Sequence, residues 1–539
     1  MSAAELRGPV GPTIAARPPA APALPAASQA FDKRKLAAFI FMVFGMFMAI
    51  LDIQIVSASL SQIQAGLSAS QDEVTWVQTS YLVAEVVMIP LSGFLSRMLS
   101  TRIIFTISAA GFTLMSLMCS TASSIDDMIV WRALQGFIGG GMIPTVFASA
   151  YTIFPRSKQP IIAPIIGLVA TLAPTIGPTV GGYLTDLFSW HWLFLVNIPP
   201  GIMVTIAAWT LIDFDKPDWS LLPRFDWTGL AAMAGFLGAM EYALEEGPSK
   251  DWFESQPVAA AIVVSGVSAL IFFWRAFTAP QPIVDLSTFR DRNFWTGCML
   301  SGVMGVGLYG LTYIYPVYLA VVRGYTPLMI GETMFVTGVC MFFTAPISGK
   351  LMTKVDPRKL IALGFAGFAF GTYLASNVTS DWDFYELLWP QIFRGVSMML
   401  CMVPINNLAL GTMPPAMMKN ASGLFNLTRN LGGAVGLAII NTILDKRMDL
   451  HLERLRESVI WGRNVAEETM TSMTAALAAR GSDAELAATK QMALMVRRQA
   501  EVMALADVFL SVTAIFLATL WLAALMRRPQ VAGGGGGGH

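Results

Sequence analysis

Residues 90–102 read PLSGFLSRMLSTR, and residues 346–358 read PISGKLMTKVDPR. Proline, serine, glycine, leucine and arginine recur in the same register in both segments. A second pair of similar segments, WRALQG at 131–136 and WPQIFRG at 389–395, follows in the same order. The chain is therefore predicted to consist of two related halves.

The composition places these halves in a membrane. Of the 539 residues, 55% are hydrophobic and 13% are charged, and the mean hydropathy is +0.60. Soluble domains carry about 25% charged residues, and a helix needs about 20 apolar residues to cross a bilayer. We count fourteen apolar runs of that length, which predict an all-α polytopic membrane protein. The runs cover residues 36–59, 74–95, 102–121, 127–152, 161–187, 191–213, 226–246, 257–279, 294–319, 327–351, 359–377, 385–412, 418–445 and 505–527.

The repeat defines how these spans are grouped. The first repeated pair follows spans 2 and 10, and the second lies within spans 4 and 12, so spans 1–6 correspond to spans 9–14. This predicts six-helix halves at 36–213 and 294–527, with two inserted helices at 226–279. Parallel repeats of this kind build several secondary transporters, whose substrate site lies between the halves.

The positive residues predict the orientation. Roughly 21 Lys and Arg residues fall on one side in the tails and short loops, against two on the other side, Lys250 and Arg323. Both termini are therefore expected in the cytoplasm. The Ala/Pro-rich residues 1–35 contain no apolar signal-peptide core and are predicted to be a disordered cytosolic tail. Residues 528–539 are predicted to be a Gly-rich cytosolic tail.

Several function classes are disfavoured. The formal net charge is zero, so no basic field indicates nucleic acid. The four cysteines and three histidines show no metal-ligand spacing, so neither a metal site nor a cofactor is expected. No set of catalytic residues converges within the spans, so the protein is not expected to be an enzyme. The chain also has no GxxxxGK[ST] loop for ATP.

Three motifs connect the chain to a known family. They are LDIQIVSASL at 51–60, RALQGFIGGG at 132–141 and APTIGPTVGG at 173–182. These motifs resemble those of the major facilitator superfamily, and the third resembles the signature of its fourteen-helix drug:proton antiporters. Four further segments resemble Emr-type multidrug permeases in particular: DWFESQ at 251–256, PIVDLSTFRDRNF at 282–294, WPQIFRG at 389–395 and NLTRNLGGAVG at 426–436.

The resemblance implies a proton-driven exporter of hydrophobic or amphipathic drugs in the bacterial inner membrane. Its halves would rock around a central site. Such permeases work with a periplasmic membrane-fusion adaptor and an outer-membrane channel. A narrow-range exporter of one metabolite or siderophore is the alternative within transport. A non-transporting receptor or scaffold is the rival class, which the duplicated halves and the intramembrane charges disfavour.

Ionisable side chains at bilayer depth are costly and usually functional or paired. Four are candidates for proton coupling: Asp52, Glu85, Arg132 and Glu241. Asp52 and Arg132 lie at similar depths in spans 1 and 4, so they could pair, either as a coupling element or as a static lock between helices. Glu85 is expected either to bind a proton or contact the substrate, or to hold helices of the first half together by hydrogen bonds.

A second group of residues is predicted to line the substrate cavity, some as aromatic or amide groups and two as half-buried cations. Its members are Gln54, Gln135, Tyr309, Tyr313, Arg394, Asn406 and Arg429.

Two groups are predicted to act in gating. The signature in span 5 would bend and close the inner ends of the halves, through Pro174, Gly177, Pro178, Gly181 and Gly182. The cytosolic gating loops would use Gly93, Arg97, Arg102, Gly349, Asp356 and Arg358. The loop after span 2 departs from the family pattern because Ser96 stands where an acid is usual and Ser100 where glycine is usual.

The segment 446–504 is predicted to be a long periplasmic loop. Leu452, Leu455 and Val459 fall on one helical face, as do Leu486, Met492 and Met495, which predicts amphipathic helices. The segment would be either a solvated lid or a docking surface for the adaptor.

Overall fold

The computed structural model describes residues 32–155, 158–459, 464–478 and 483–527. Within those ranges the regular structure is helical, and none of it is β-strand. The predicted Gly-rich tail and residues 1–31 of the predicted leader lie outside them. The first helix begins at Lys33, where the Asp32 side chain accepts a hydrogen bond from the Arg34 backbone. The basic residues 33–35 therefore belong to the first span and not to the tail.

Fourteen long helices occupy the fourteen predicted spans. Within the described residues, twelve of them are long and apolar enough to cross a membrane, the other two being α7 and α11 of the numbering used below. The predicted fold class is confirmed. In chain order the helices are α1 Lys33–Ala58, α2 Gln71–Leu99, α3 Thr101–Ser120, α4 Ile125–Ile153, α5 Gln159–Leu187, α6 Trp192–Leu211, α7 Trp227–Glu246, α8 Gln256–Thr278, α9 Arg292–Val322, α10 Pro327–Leu351, α11 Pro357–Ala375, α12 Phe384–Leu410, α13 Met418–Ser458 and α14 Ala484–Thr519.

Local sequence signals explain where several helices begin. A capping box starts α2, since Ser70 and Glu73 exchange hydrogen bonds between side chain and backbone. The same arrangement of Asp383 and Glu386 starts α12. The Asp226 carboxylate caps α7 and also pairs with Arg275 of α8 at 2.8 Å, which fixes the two inserted helices to each other.

The helices of each half have the same neighbours. In the first half α1 packs on α5, α2 on α4 and α3 on α6. In the second half α9 packs on α13, α10 on α12 and α11 on α14, which is the same pattern displaced by eight helices. The sequence repeat therefore reflects a repeat in three dimensions.

The contacts between the halves are also symmetric. Helix α2 packs against α13, and its counterpart α10 packs against α5. Helices α4 and α12 add contacts to α13 and α5, respectively. The inserted helix α7 packs on α8, α2 and α13, whereas most of α8 faces outward, as expected of a lipid-exposed helix.

Hydrogen bonds identify the two faces of the bundle. Arg34 donates to the Thr210 carbonyl at the end of α6, and the Arg527 backbone donates to Asn293 at the start of α9. Both described chain ends thus lie at one face, here called the terminal face. The other is called the distal face.

Helix α13 extends beyond the predicted end of span 13 at residue 445. Helix α13 has 41 residues and continues to Ser458, and α14 begins at Ala484, 36 residues long. At 1.5 Å per residue α13 measures about 61 Å, roughly twice the thickness of a bilayer core. Most of segment 446–504 is therefore a helical extension on the distal side, with a further helix, Asn464–Ala478, packed on α14.

Candidate functional site

A cavity of about 740 Å³ lies between the two halves. Its walls come from α1, α2 and α7 on one side and from α9, α10 and α13 on the other. The exposed residues Ser57, Ser61 and Ser249 line it near the distal face, so the cavity opens there. Its volume is that of a site for a small organic molecule.

The terminal face is closed by two symmetric contacts. A Cβ atom at Gly93 of α2 would lie 2.7 Å from the Lys419 carbonyl oxygen at the start of α13. A Cβ atom at Gly349 of α10 would be closer still to the Pro160 carbonyl oxygen at the start of α5. The two glycines are equivalent positions of the sequence repeat. Each lets the backbones of opposite halves approach closely.

An ion pair reinforces this closure. The Lys419 ammonium group pairs with the Asp215 carboxylate and donates a hydrogen bond to the Ser96 carbonyl at 2.7 Å. The same carboxylate accepts hydrogen bonds from the Thr101 backbone at 3.0 Å and from its hydroxyl at 3.1 Å. Asp215, from the segment after α6, therefore supplies a carboxylate beside the end of α2, where Ser96 stands in place of the usual acid. Sequence reasoning missed it because it lies in a different loop.

The predicted gating loops are partly helical. Gly93, Arg97 and Gly349 lie inside α2 and α10, and not in loops. The guanidinium group of Arg97 lies 5.4 Å from the centre of the Phe94 ring, and that of Arg102 lies 5.1 Å from the Trp209 ring. In the second half Asp356 pairs at 2.9 Å with Arg358, which donates to the Met526 carbonyl.

Replacing Gly93 with valine should open the terminal face. The added carbon atoms would collide with backbone atoms that cannot rotate away, at a cost of about 1–3 kcal/mol, so transport should fall about ten-fold. Spin labels at Lys216 and Lys354, both exposed at this face, should report longer distances between the halves. Gly266→Val is the matched control because α8 leaves open space around Gly266. Unchanged distances in the Gly93 variant would rule out this close contact as a gate.

Asp52 and Arg132 form a fully buried ion pair with an N–O distance of 2.6 Å. The Asp52 carboxylate also accepts hydrogen bonds from Asn197 of α6 at 2.7 Å and from Gln135 at 3.5 Å. Arg132 donates to Gln135 at 2.7 Å, and its guanidinium carbon lies 4.2 Å from the centre of the Tyr81 ring. The network joins α1, α2, α4 and α6 and lies behind the cavity wall. Sequence analysis did not identify Asn197, because nothing in its local sequence indicates that its side chain forms a hydrogen bond between helices.

The carboxylates of Glu85 and Glu241 lie on the cavity wall. Each has one buried oxygen without a hydrogen-bond partner among the described residues, Oε1 of Glu85 and Oε2 of Glu241. Glu245 and Glu246, one turn after Glu241, line the same wall, although sequence reasoning did not include them. The i+4 spacing of Glu241 and Glu245 was the available signal, because it places both on one face of a helix.

The predicted cavity residues divide into two sets. Gln54, Tyr309 and Tyr313 lie on the wall, where the Tyr309 hydroxyl donates to Asn430 at 3.3 Å. The other four are buried behind the wall in this conformation. Gln135 belongs to the Asp52 network, Arg394 donates to Thr312 at 2.9 Å, and Arg429 donates to Asn406 at 3.0 Å.

Two glycines of the α5 signature pack against α1. A Cβ atom at Gly181 would lie 2.8 Å from the Ile55 carbonyl oxygen, and one at Gly177 would meet the Gln54 side chain. Pro174 and Gly182 are buried in the same helix, and Pro178 reaches the cavity. In this conformation the residues of α5 that contact α10 at the terminal face lie closer to the start of α5 than the signature does. In α5 that contact is made by Pro160 and Pro164.

Comparison with known proteins agrees with this architecture. Residues 42–437 match the family model of the Major Facilitator Superfamily. The chain is 42% identical over 498 residues to the colistin resistance protein EmrB of Acinetobacter baumannii, covering 92% of this chain and 97% of the relative. It is 30% identical over 493 residues to the multidrug export protein EmrB of Escherichia coli K12, covering 91% and 95%.

A solved structure shares the fold at low sequence identity. The human organic anion transporter MFSD10 (TETRAN) superimposes with a TM-score of 0.57 and 11% identity, over 91% of this chain and 99% of that one. The motifs, the paired halves and the relatives agree. The chain belongs to the Major Facilitator Superfamily and, within it, to the EmrB-type export proteins.

Proposed function

We propose that the protein is a proton-driven exporter of hydrophobic and amphipathic compounds. The observation that carries this proposal is the pair of unpartnered carboxylates, Glu85 and Glu241, on the wall of a cavity that lies between the two halves and opens at the distal face. A carboxylate in such a place can exchange a proton with the solution on the open side. Two EmrB relatives are named for drug export and drug resistance, which supports this substrate range.

The geometry suggests how transport proceeds. The halves would rock about the cavity, so that the contacts at Gly93 and Gly349 break while the distal face closes. Glu85 and Glu241 would take up protons from the open distal side and release them on the terminal side, where substrate then binds. Asp52 and Arg132 would couple this step to helix movement, because their network joins four helices of the first half.

We place the protein in the bacterial inner membrane with both termini in the cytoplasm. The excess of Lys and Arg residues at the terminal face supports this orientation. The described conformation would then be open to the periplasm. The helical extension of α13 and α14 would project into the periplasm.

Dye efflux from intact cells tests the function. Cells that produce the protein should expel a fluorescent hydrophobic dye several-fold faster than cells without it, and a protonophore should abolish the difference. Efflux that survives the protonophore would contradict proton coupling. No difference between the two kinds of cell would contradict export itself.

We further propose that the extension docks a periplasmic adaptor, which would connect export to an outer-membrane channel. Five large apolar side chains in the described part of the extension are exposed: Val459, Val465, Leu486, Leu494 and Met495. An apolar surface on the distal side of the bundle is stabilised by a partner that covers it. At its base the extension is held by His451, which bonds to Asp507 at 2.8 Å, and by Arg498, which donates to Ser380.

Replacing residues 454–495 with a short Gly/Ser linker tests this docking role, because it removes the exposed apolar side chains but keeps His451 and Arg498. Insertion and dye efflux from spheroplasts should remain at wild-type levels. Co-purification with the adaptor and drug resistance of cells with two membranes should be lost. Unchanged adaptor binding would show that the extension is a lid.

A further inference from the structure

We propose that the cavity selects amphipathic organic cations, through carboxylates that the inserted helix α7 presents together with Glu85. This inference rests on the proposed export function, of which it specifies the substrate class. It also gives the inserted helix α7 a role in recognition.

The charge of the cavity wall is entirely negative. Four carboxylates line it: Glu85 of α2, and Glu241, Glu245 and Glu246 at the end of α7. The described residues that line the cavity include neither lysine, arginine nor histidine. Glu246 is already neutralised, since it pairs with Lys250 at 2.8 Å. The other three carboxylates form no ion pair with any described residue.

Two of these carboxylates are almost completely buried. Glu85 is 2% exposed and Glu241 is 6% exposed, and each has an unpartnered oxygen on the cavity wall. The charged side chains that act on Glu241 are further carboxylates, Glu245 and Glu85. Burial of an unpaired anion is strongly unfavourable, so the wall requires a proton or a bound cation. A bound cation would satisfy several of these oxygens together.

The rest of the wall suits an apolar body that carries the positive charge. Tyr309, Tyr313 and Tyr325 present aromatic rings, and aliphatic side chains such as Leu244 and Val321 fill the space between them. Aromatic faces attract cations, and they attract quaternary and phosphonium-type cations without needing hydrogen bonds. A hydrophilic inorganic cation would leave this apolar surface unused.

The buried cations of the second half do not cancel this charge. Arg394 is held behind Thr312, to which it donates at 2.9 Å. Arg429 donates to Asn406 and Ser301, and its guanidinium carbon lies 5.2 Å from the Phe147 and Phe425 rings. Neither arginine lines the cavity.

Two near-isosteric ligands test the substrate class. Methyltriphenylphosphonium and triphenylphosphine oxide have the same three phenyl rings, but only the first carries a charge. Equilibrium dialysis of the purified full-length protein should show about ten-fold tighter binding of the phosphonium. The double variant Glu241→Gln/Glu245→Gln should lose about ten-fold in phosphonium affinity and leave the affinity for the oxide unchanged.

Glu254→Gln is the matched control, because Glu254 is an exposed carboxylate in the loop after α7, outside the cavity. It should bind both ligands as the wild-type protein does. Equal affinities of the wild-type protein for the two ligands would overturn the proposal, as would unchanged phosphonium binding in the double variant. If dye export persists in cells alongside either result, only the cation selectivity fails. If export is also absent, the proposed function fails as well.

Discussion

Asp52→Asn is expected to destabilise the first half and to abolish coupled transport. The variant leaves the Arg132 guanidinium group fully buried without its counterion, and loss of one member of a buried ion pair costs about 3–5 kcal/mol. Thermal unfolding of the purified protein in detergent should begin at a clearly lower temperature. Substrate-driven proton movement should disappear.

A second substitution separates stability from coupling. In Asp52→Asn/Arg132→Gln both charges are absent, and the amides can still bond to Gln135 and Asn197. We expect this variant to recover most of the lost stability and none of the proton movement. If the double variant regains full coupled transport, the pair is a static lock between helices and not a coupling element.

Glu85→Gln should give the opposite combination, an intact fold without coupled transport. Glu85 forms no ion pair, and one of its oxygens is unpartnered, so the amide removes no salt bridge. The unfolding temperature should stay within about 3 °C of the wild-type value. Proton-coupled efflux should fall at least about ten-fold, because an amide cannot release a proton.

Efflux assays on membrane vesicles from cells that produce the Glu85→Gln variant would measure this loss of proton-coupled efflux. Glu254→Gln provides the control for removal of a carboxylate, and its efflux should equal that of the wild-type protein. Wild-type efflux in Glu85→Gln would exclude Glu85 from coupling. If efflux falls and the unfolding temperature also falls by clearly more than about 3 °C, Glu85 is a structural residue and not a coupling residue.

The architecture could be predicted from the sequence because its determinants are local or repeated. Apolar runs located the fourteen helices, and the match between residues 90–102 and 346–358 grouped them into halves. The pair of glycines, Gly93 and Gly349, was visible in that repeat. Their contact with Lys419 and Pro160 was not, because it depends on the packing of one half on the other.

The cavity could be predicted only in part. Sequence position gives the depth of a residue in the membrane, but not the direction in which its side chain points. Arg394 and Arg429 have a suitable depth, yet neighbouring hydroxyl and amide groups hold them behind the wall. Asp215 was overlooked for a related reason, because its partners Thr101 and Lys419 are distant in sequence.

The end of helix α13 could not be predicted from hydropathy. Hydropathy decreases after residue 445 because the helix becomes polar there, but its hydrogen bonds continue to Ser458. A hydropathy boundary marks the edge of the apolar environment. It does not mark the end of a helix.

Proton movement in reconstituted vesicles tests the exchange of protons for substrate most directly. The purified protein would be placed in liposomes that contain a pH-sensitive dye, and methyltriphenylphosphonium would then be added to the outside without any imposed gradient. The account predicts an immediate change of internal pH that the Glu85→Gln variant does not produce. Uptake of the phosphonium without any change of internal pH, and at the same rate in both proteins, would contradict it.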